Sequence, residues 1–139
     1  DGESPVKGEG KLFIIDGGHN PQCIEALVKN IQDYLAGKKV VALTGVLADK
    51  DYADMYKPVM PLVDRFVCIT PPNPRKLEAE QLARYLRQAG AQAQASESIL
   101  DGVKKAMELA GKDGVVLCFG SLYSIGGIRD ALKDLGVIE

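Results

Sequence analysis

This chain has no surplus of positive charge, no cysteine pair at ligand spacing and a single histidine. Its 17 Lys and Arg stand against 19 Asp and Glu, a formal net charge of -2, so the basic footprint of a nucleic-acid binder is missing. No apolar run approaches the roughly 18–20 residues of a membrane span. The opening Asp1-Gly2-Glu3-Ser4-Pro5 carries no signal-peptide pattern. The three cysteines, Cys23, Cys68 and Cys118, lie far apart with no CxxC or Cys/His spacing. That excludes a zinc-type site and reads as free thiols in a reducing cytoplasm. No G-x-x-x-x-G-K-[ST] phosphate loop is present, and no G-x-G-x-x-G follows the first apolar run.

What is there is the composition of an ordinary globular domain. The 139 residues are 46% hydrophobic and 26% charged, enough for one proper core. The chain begins without Met, and residues 1–10 are polar and glycine-rich. They read as a linker remnant of a longer protein, followed by one domain over 11–139.

Strand and helix patterns alternate along that domain. Leu12–Ile15, Val40–Thr44, Arg65–Thr70 and Val115–Phe119 are apolar runs of buried-strand type, and Ala91–Ala95 is a weaker one. Between them run helical stripes: Pro21 to about Ala36, a Pro-interrupted helix from Asp51 to about Val63, Leu77 to Ala89, one behind Ser98, and one after Ser121. Gly37, Gly90, Gly111 and Gly136 punctuate the helix ends. Such alternation predicts an α/β three-layer, Rossmann-like domain. Its sheet is mostly parallel, with about six strands flanked by helices.

In such a sheet the functional loops leave the carboxyl ends of the strands. Four loops qualify: Asp16–Asn20, Gly45–Asp51, Thr70–Arg75 and Gly120–Ser124. Asp16 fits a ribose-binding carboxylate or a turn Asp. His19 can donate or accept near neutral pH, or simply occupy an exposed turn. Asn20 and Pro21 are good N-cap and N1 residues, whose free N–H groups suit an anion. Asp49-Lys50-Asp51 is a charged cluster or a solvated turn. Arg75, after a rigid proline loop, can grip a carboxylate or lie on the surface. Ser121 joins a strand end to a helix start. It reads as a ligand-binding hydroxyl or a plain cap, and the surrounding residues lack the G-x-S-x-G pattern of a nucleophile.

Three of these loops together resemble the C-terminal domain of the ATP-dependent amide ligases of the Mur ligase superfamily. Asp16-Gly17-Gly18-His19-Asn20-Pro21 is similar to the D-G-A-H-N-P signature of the folylpolyglutamate synthase/dihydrofolate synthase branch. Gly45 to Asp51 resembles that branch's G-x-x-x-D-K-D loop, and Phe119-Gly120-Ser121-Leu122-Tyr123 its [TF]-G-S-[LF]-[YH] motif. Gly18 stands where Ala is usual. Asn73-Pro74-Arg75 resembles the D-N-P-R motif of some Mur ligases.

The resemblance implies a ligase that adds L-glutamate to a folate or to dihydropteroate through an acyl phosphate. ATP and Mg2+ are then required, with the phosphate loop and metal ligands on an N-terminal ATPase domain absent from this chain. It further implies nucleotide contacts at Asp16, His19 and Asn20, and glutamate contacts at His19, Ser121 and Arg75. Asp49 and Lys50 would face the interdomain cleft. No metal ligand and no catalytic residue is assigned on this domain, which alone is expected to be inactive. The implied location is cytoplasmic. Two other readings stay open: a cell-wall amino-acid ligase of the same superfamily, and a flavodoxin- or receiver-like binding module.

Overall fold

A computed structural model describes residues 3–6, 11–15, 21–34, 37–49, 52–111 and 114–136. Among them six strands form one sheet in the order β1-β2-β6-β3-β4-β5. These are β1 (Glu3–Val6), β2 (Lys11–Ile15), β3 (Val40–Gly45), β4 (Arg65–Cys68), β5 (Ala93–Ala95) and β6 (Val115–Gly120). All neighbours run parallel except β1, which pairs antiparallel with β2. The chain after β5 returns to place β6 between β2 and β3.

The helices are α1 (Pro21–Tyr34), α2 (Tyr52–Tyr56), α3 (Ala79–Gln88), α4 (Ile99–Ala110) and α5 (Leu122–Asp134). Strand alternation splits the core into two layers. Val40, Ala42, Phe66, Cys68, Val115, Leu117 and Phe119 face one way, with Ile24 and Leu27 of α1, Tyr56 of α2 and Leu82 and Leu86 of α3. Val41, Leu43, Val67, Ile69, Val116 and Cys118 face the other, against Val103 and Ala106 of α4 and Ile125, Ile128 and Leu132 of α5. Because β3 and β6 are covered on both faces, both read in the sequence as continuous apolar runs.

Three sequence expectations need correction. Residues 1–10, read as a linker remnant, contribute β1. It forms an edge strand containing Pro5, and proline, lacking an N–H, is tolerated at an edge. The helix expected from Asp51 to Val63 is a five-residue helix, followed by a short 3-10 turn at Met60–Leu62. Pro58 and Pro61 lack the N–H groups a continuous helix would need. Arg65–Thr70 forms ladder pairs only to Cys68, where its registers with β3 and β5 end at Thr44 and Ala95.

The Ser98 cap and the glycines at the helix ends act as the sequence suggests. Ser98 Oγ accepts from the Asp101 N–H at 3.0 Å and caps α4. Gly37, Gly90, Gly111 and Gly136 all have positive φ just beyond helix ends. Thr70 Oγ1 accepts from the Ala79 N–H at 2.9 Å, so the loop after β4 helps cap the start of α3. Asp64 Oδ2 accepts from the Val40 N–H at 2.7 Å and ties the starts of β3 and β4.

Cys68 and Cys118 are free and buried, as read from the sequence. Burial pushes the Cys68 thiol up to about 12 and raises the Cys118 thiol and the Tyr56 phenol as well. Above pH 9 the unfolded chain loses thiol protons that the fold retains, so stability must fall as pH rises. We expect a constant melting temperature from pH 7 to about 9 as far as these groups are concerned, then a decline, at roughly 1.4 kcal/mol per pH unit for each titrating group. Thermal unfolding monitored across that range tests this. A flat profile to pH 11 would show the groups to be solvated in the fold.

Candidate functional site

The connections from β3 and β6 leave the sheet on opposite faces, since α2 joins one core layer and α5 the other. Adjacent parallel strands whose connections part in this way open a crevice at their carboxyl ends. Gly45 and Gly120 are paired in register at that point. The Ser121 N–H donates to the Gly45 carbonyl at 3.0 Å. Gly120 has φ of +126°, and a Cβ there would run into the Gly45 carbonyl oxygen. A Cβ on Gly45 would sit 2.6 Å from Ser124 Oγ and 2.7 Å from the Ile69 carbonyl oxygen. Both glycines are therefore dictated by the close approach of two backbones and a helix.

Ser121 is the N-cap of α5: its Oγ accepts from the Ser124 N–H at 3.0 Å. The two hydroxyls lie 2.9 Å apart. Ser121 is 5% exposed and Ser124 fully buried. Below them Thr44 Oγ1 and the Tyr56 hydroxyl share a buried hydrogen bond of 2.7 Å. The Tyr56 ring packs on Phe119 at 5.8 Å and on Phe66 at 6.1 Å between centroids. Tyr56 thus fixes the last turns of β3, β4 and β6 from one side.

Beside this junction the β3–α2 and β4–α3 loops are zipped together. The Ala48 N–H donates to the Arg75 carbonyl at 2.7 Å and the Leu77 N–H to the Val46 carbonyl at 3.1 Å. Leu47 and Lys76 form an antiparallel bridge. Asn73 Oδ1 accepts from the Arg75 N–H at 2.8 Å, an Asx turn that sets the loop. Arg75 then reaches Asp49 at 3.1 Å, with side chains 61% and 50% exposed. An ion pair this exposed contributes at most about 1 kcal/mol.

The residues singled out in the sequence divide accordingly. Ser121, Asp49 and Arg75 all stand at the carboxyl edge of the sheet. Arg75, expected to hold a substrate carboxylate, holds Asp49 in this state, because the zipped loops bring the two within reach. Asp16, His19, Asn20 and Lys50 lie outside the described residues. Among the described residues no group of three His, Cys, Asp or Glu could hold a metal ion. No helix there is long and apolar enough to cross a membrane. Sequence reasoning missed Thr44, Tyr56 and Ser124. Only Ser124 carried a signal, as the N3 partner of the Ser121 cap.

Residues 4–122 match the family described as Mur ligase, glutamate ligase domain. The chain is similar to the dihydrofolate synthase/folylpolyglutamate synthase of Haemophilus influenzae, 32% identical over 118 residues, covering 81% of this chain and 27% of that protein. It also resembles Escherichia coli FolC in complex with DHPP and ADP, with a TM-score of 0.82 at 26% identity, covering 94% of this chain and 31% of that one. A third similar structure is a bifunctional folylpolyglutamate synthase/dihydrofolate synthase with Mn, AMPPNP and L-glutamate bound. Its TM-score is 0.76 at 29% identity, over 92% of this chain and 30% of that one. The chain thus spans under a third of the length of the relatives it matches.

The glycine junction yields a stability prediction. Gly120→Ala should destabilise the domain by at least about 2 kcal/mol, through strain at positive φ plus the clash with Gly45. Gly126→Ala, where a Cβ meets open space on α5, should be neutral or stabilising. Denaturant melts of the pair check this, and equal stability of the two variants would refute it.

Proposed function

Since the chain belongs to the Mur ligase, glutamate ligase domain family, we propose that it is the C-terminal domain of an ATP-dependent ligase that joins L-glutamate to a folate or to dihydropteroate. The observation that carries this reading is the likeness to folate ligases over 81–94% of the chain, including one structure bound to L-glutamate and a nucleotide analogue. The three sequence motifs of the folate branch support it independently.

In the proposed reaction ATP transfers its terminal phosphoryl group to an acceptor carboxylate. The glutamate amine attacks the acyl phosphate, the C–O bond to phosphate breaks, and an amide, phosphate and ADP result. Binding and orientation of anionic substrates is the main task. The carboxyl edge of this domain suits it. The N-cap hydroxyl of Ser121 stands at the positive end of α5, and Arg75 is the cation that a carboxylate could take over from Asp49. Asp16, His19, Asn20 and Lys50 complete the site in this reading, toward the nucleotide and the interdomain cleft. The nucleotide's divalent metal, Mg2+ in this reading, is held by an N-terminal ATPase domain. In this reading an N-terminal domain closing over the edge shields the acyl phosphate from water. The proposed location is the cytoplasm.

The test is ATP-dependent incorporation of labelled glutamate by the full-length protein. We expect incorporation into dihydropteroate or a tetrahydrofolate, and none from residues 1–139 alone. Ser121→Ala should raise the glutamate KM about tenfold, the loss of one hydrogen bond to a charged group. Turnover by the isolated domain would overturn the division of labour. Incorporation only into a cell-wall precursor would move the activity to another branch of the superfamily.

A further inference from the structure

The Ser121 and Ser124 hydroxyls form a buried pair in which either could be the donor, and their surroundings favour one direction. Ser121 Oγ already accepts from the Ser124 N–H at 3.0 Å. The 2.9 Å contact between the hydroxyls admits two arrangements. If Ser121 donates, the Ser124 proton needs an acceptor of its own. Ser124 is fully buried, and among the described residues its hydroxyl has no partner but Ser121. That arrangement would strand a buried donor, which is costly. If Ser124 donates instead, its proton is satisfied, and the proton left without a protein partner among the described residues is that of Ser121, which alone of the two keeps some exposure. Ser121 Oγ then accepts twice, its lone pairs are used up, and its own proton points away from the pair. Ser121 keeps 5% exposure, where Ser124 keeps none.

Ser124 Oγ lies close to Gly45, where a Cβ would sit 2.6 Å from it. The same close approach that demands glycine at Gly45 thus seats the Ser124 hydroxyl against Ser121.

We propose that Ser124 is a positioning residue that makes Ser121 a one-way hydrogen-bond donor, so that Ser121 selects an oxygen acceptor, a carboxylate oxygen of the incoming amino acid. The proposal rests on the reading that this edge binds glutamate. It adds that Ser121 does not serve an ammonium group, because it has no lone pair to offer.

The experiment is a double-mutant cycle in the full-length protein, with glutamate and ATP KM measured for wild type, Ser121→Ala, Ser124→Ala and the double variant. Expected are a rise in glutamate KM of about tenfold for Ser121→Ala and about threefold for Ser124→Ala, with ATP KM unchanged. No further rise is expected for Ser124→Ala in the Ser121→Ala background. Coupling of this kind is not produced by general loosening of α5, which would raise KM in both backgrounds and overturn the proposal. Ser124→Ala without effect, while Ser121→Ala is impaired, would also overturn it and leave the glutamate reading standing. Ser121→Ala without effect would remove Ser121 from the glutamate site, and the proposal with it. Should Ser124→Ala fail to fold, Ser124→Cys, with a weaker donor of similar size, gives the same comparison.

Discussion

The structure turns on the approach of two backbones at the carboxyl ends of β3 and β6. Gly45 and Gly120 meet with no side chain between them, and the Ser121 N–H closes the gap onto the Gly45 carbonyl. The placement of Ser121 and Ser124 follows from that contact. It starts α5 directly against the neighbouring strand, which buries Ser124 and leaves Ser121 just below the surface. It also sends the β3 connection toward one core layer while α5 enters the other, and the crevice is the space between.

Support for the junction comes from below. Tyr56 lies on a five-residue helix that could not hold itself together in water. Its ring is held by Phe66 and Phe119, and its hydroxyl has one buried partner, Thr44. A phenol wholly inside the core costs stability unless that hydrogen bond is made. The pair therefore locks the end of β3 in one orientation, and the short helix is retained by what its last residue touches.

The strands and most helices were readable because burial on both faces and terminal glycines leave unambiguous marks. Val40–Thr44 and Val115–Phe119 could be nothing but central strands. Gly120 and Ser121 were visible as a strand-to-helix junction. The first strand was not, because an edge strand with Pro5 among polar residues looks like a linker. The short α2 was overextended because Tyr52, Met55, Tyr56 and Val59 keep a helical stripe that Pro58 then breaks. The Arg75–Asp49 pair escaped because it depends on two loops being zipped, a tertiary event that local spacing does not encode. Thr44–Tyr56 escaped for the same reason: a Thr in an apolar run and a Tyr in a helical stripe each look like packing.

A binding edge built on these terms handles charge in an uncommon way. The chain carries a net -2, yet in the proposed reading it must receive anionic substrates. At the described part of the edge Arg75 is a cation already paired with Asp49. A substrate carboxylate that displaced Asp49 would exchange one exposed ion pair for another and gain little from the swap. Arg75 on this account contributes selectivity for a carboxylate more than affinity. Among the described groups, the outward proton of Ser121 and the positive end of α5 behind it have no ion pair to give up and add affinity in this reading. Such donors lose nothing to pH in the neutral range, and they are fixed before the ligand arrives. Their orientation traces back through Ser124 to the gap that Gly45 leaves for it.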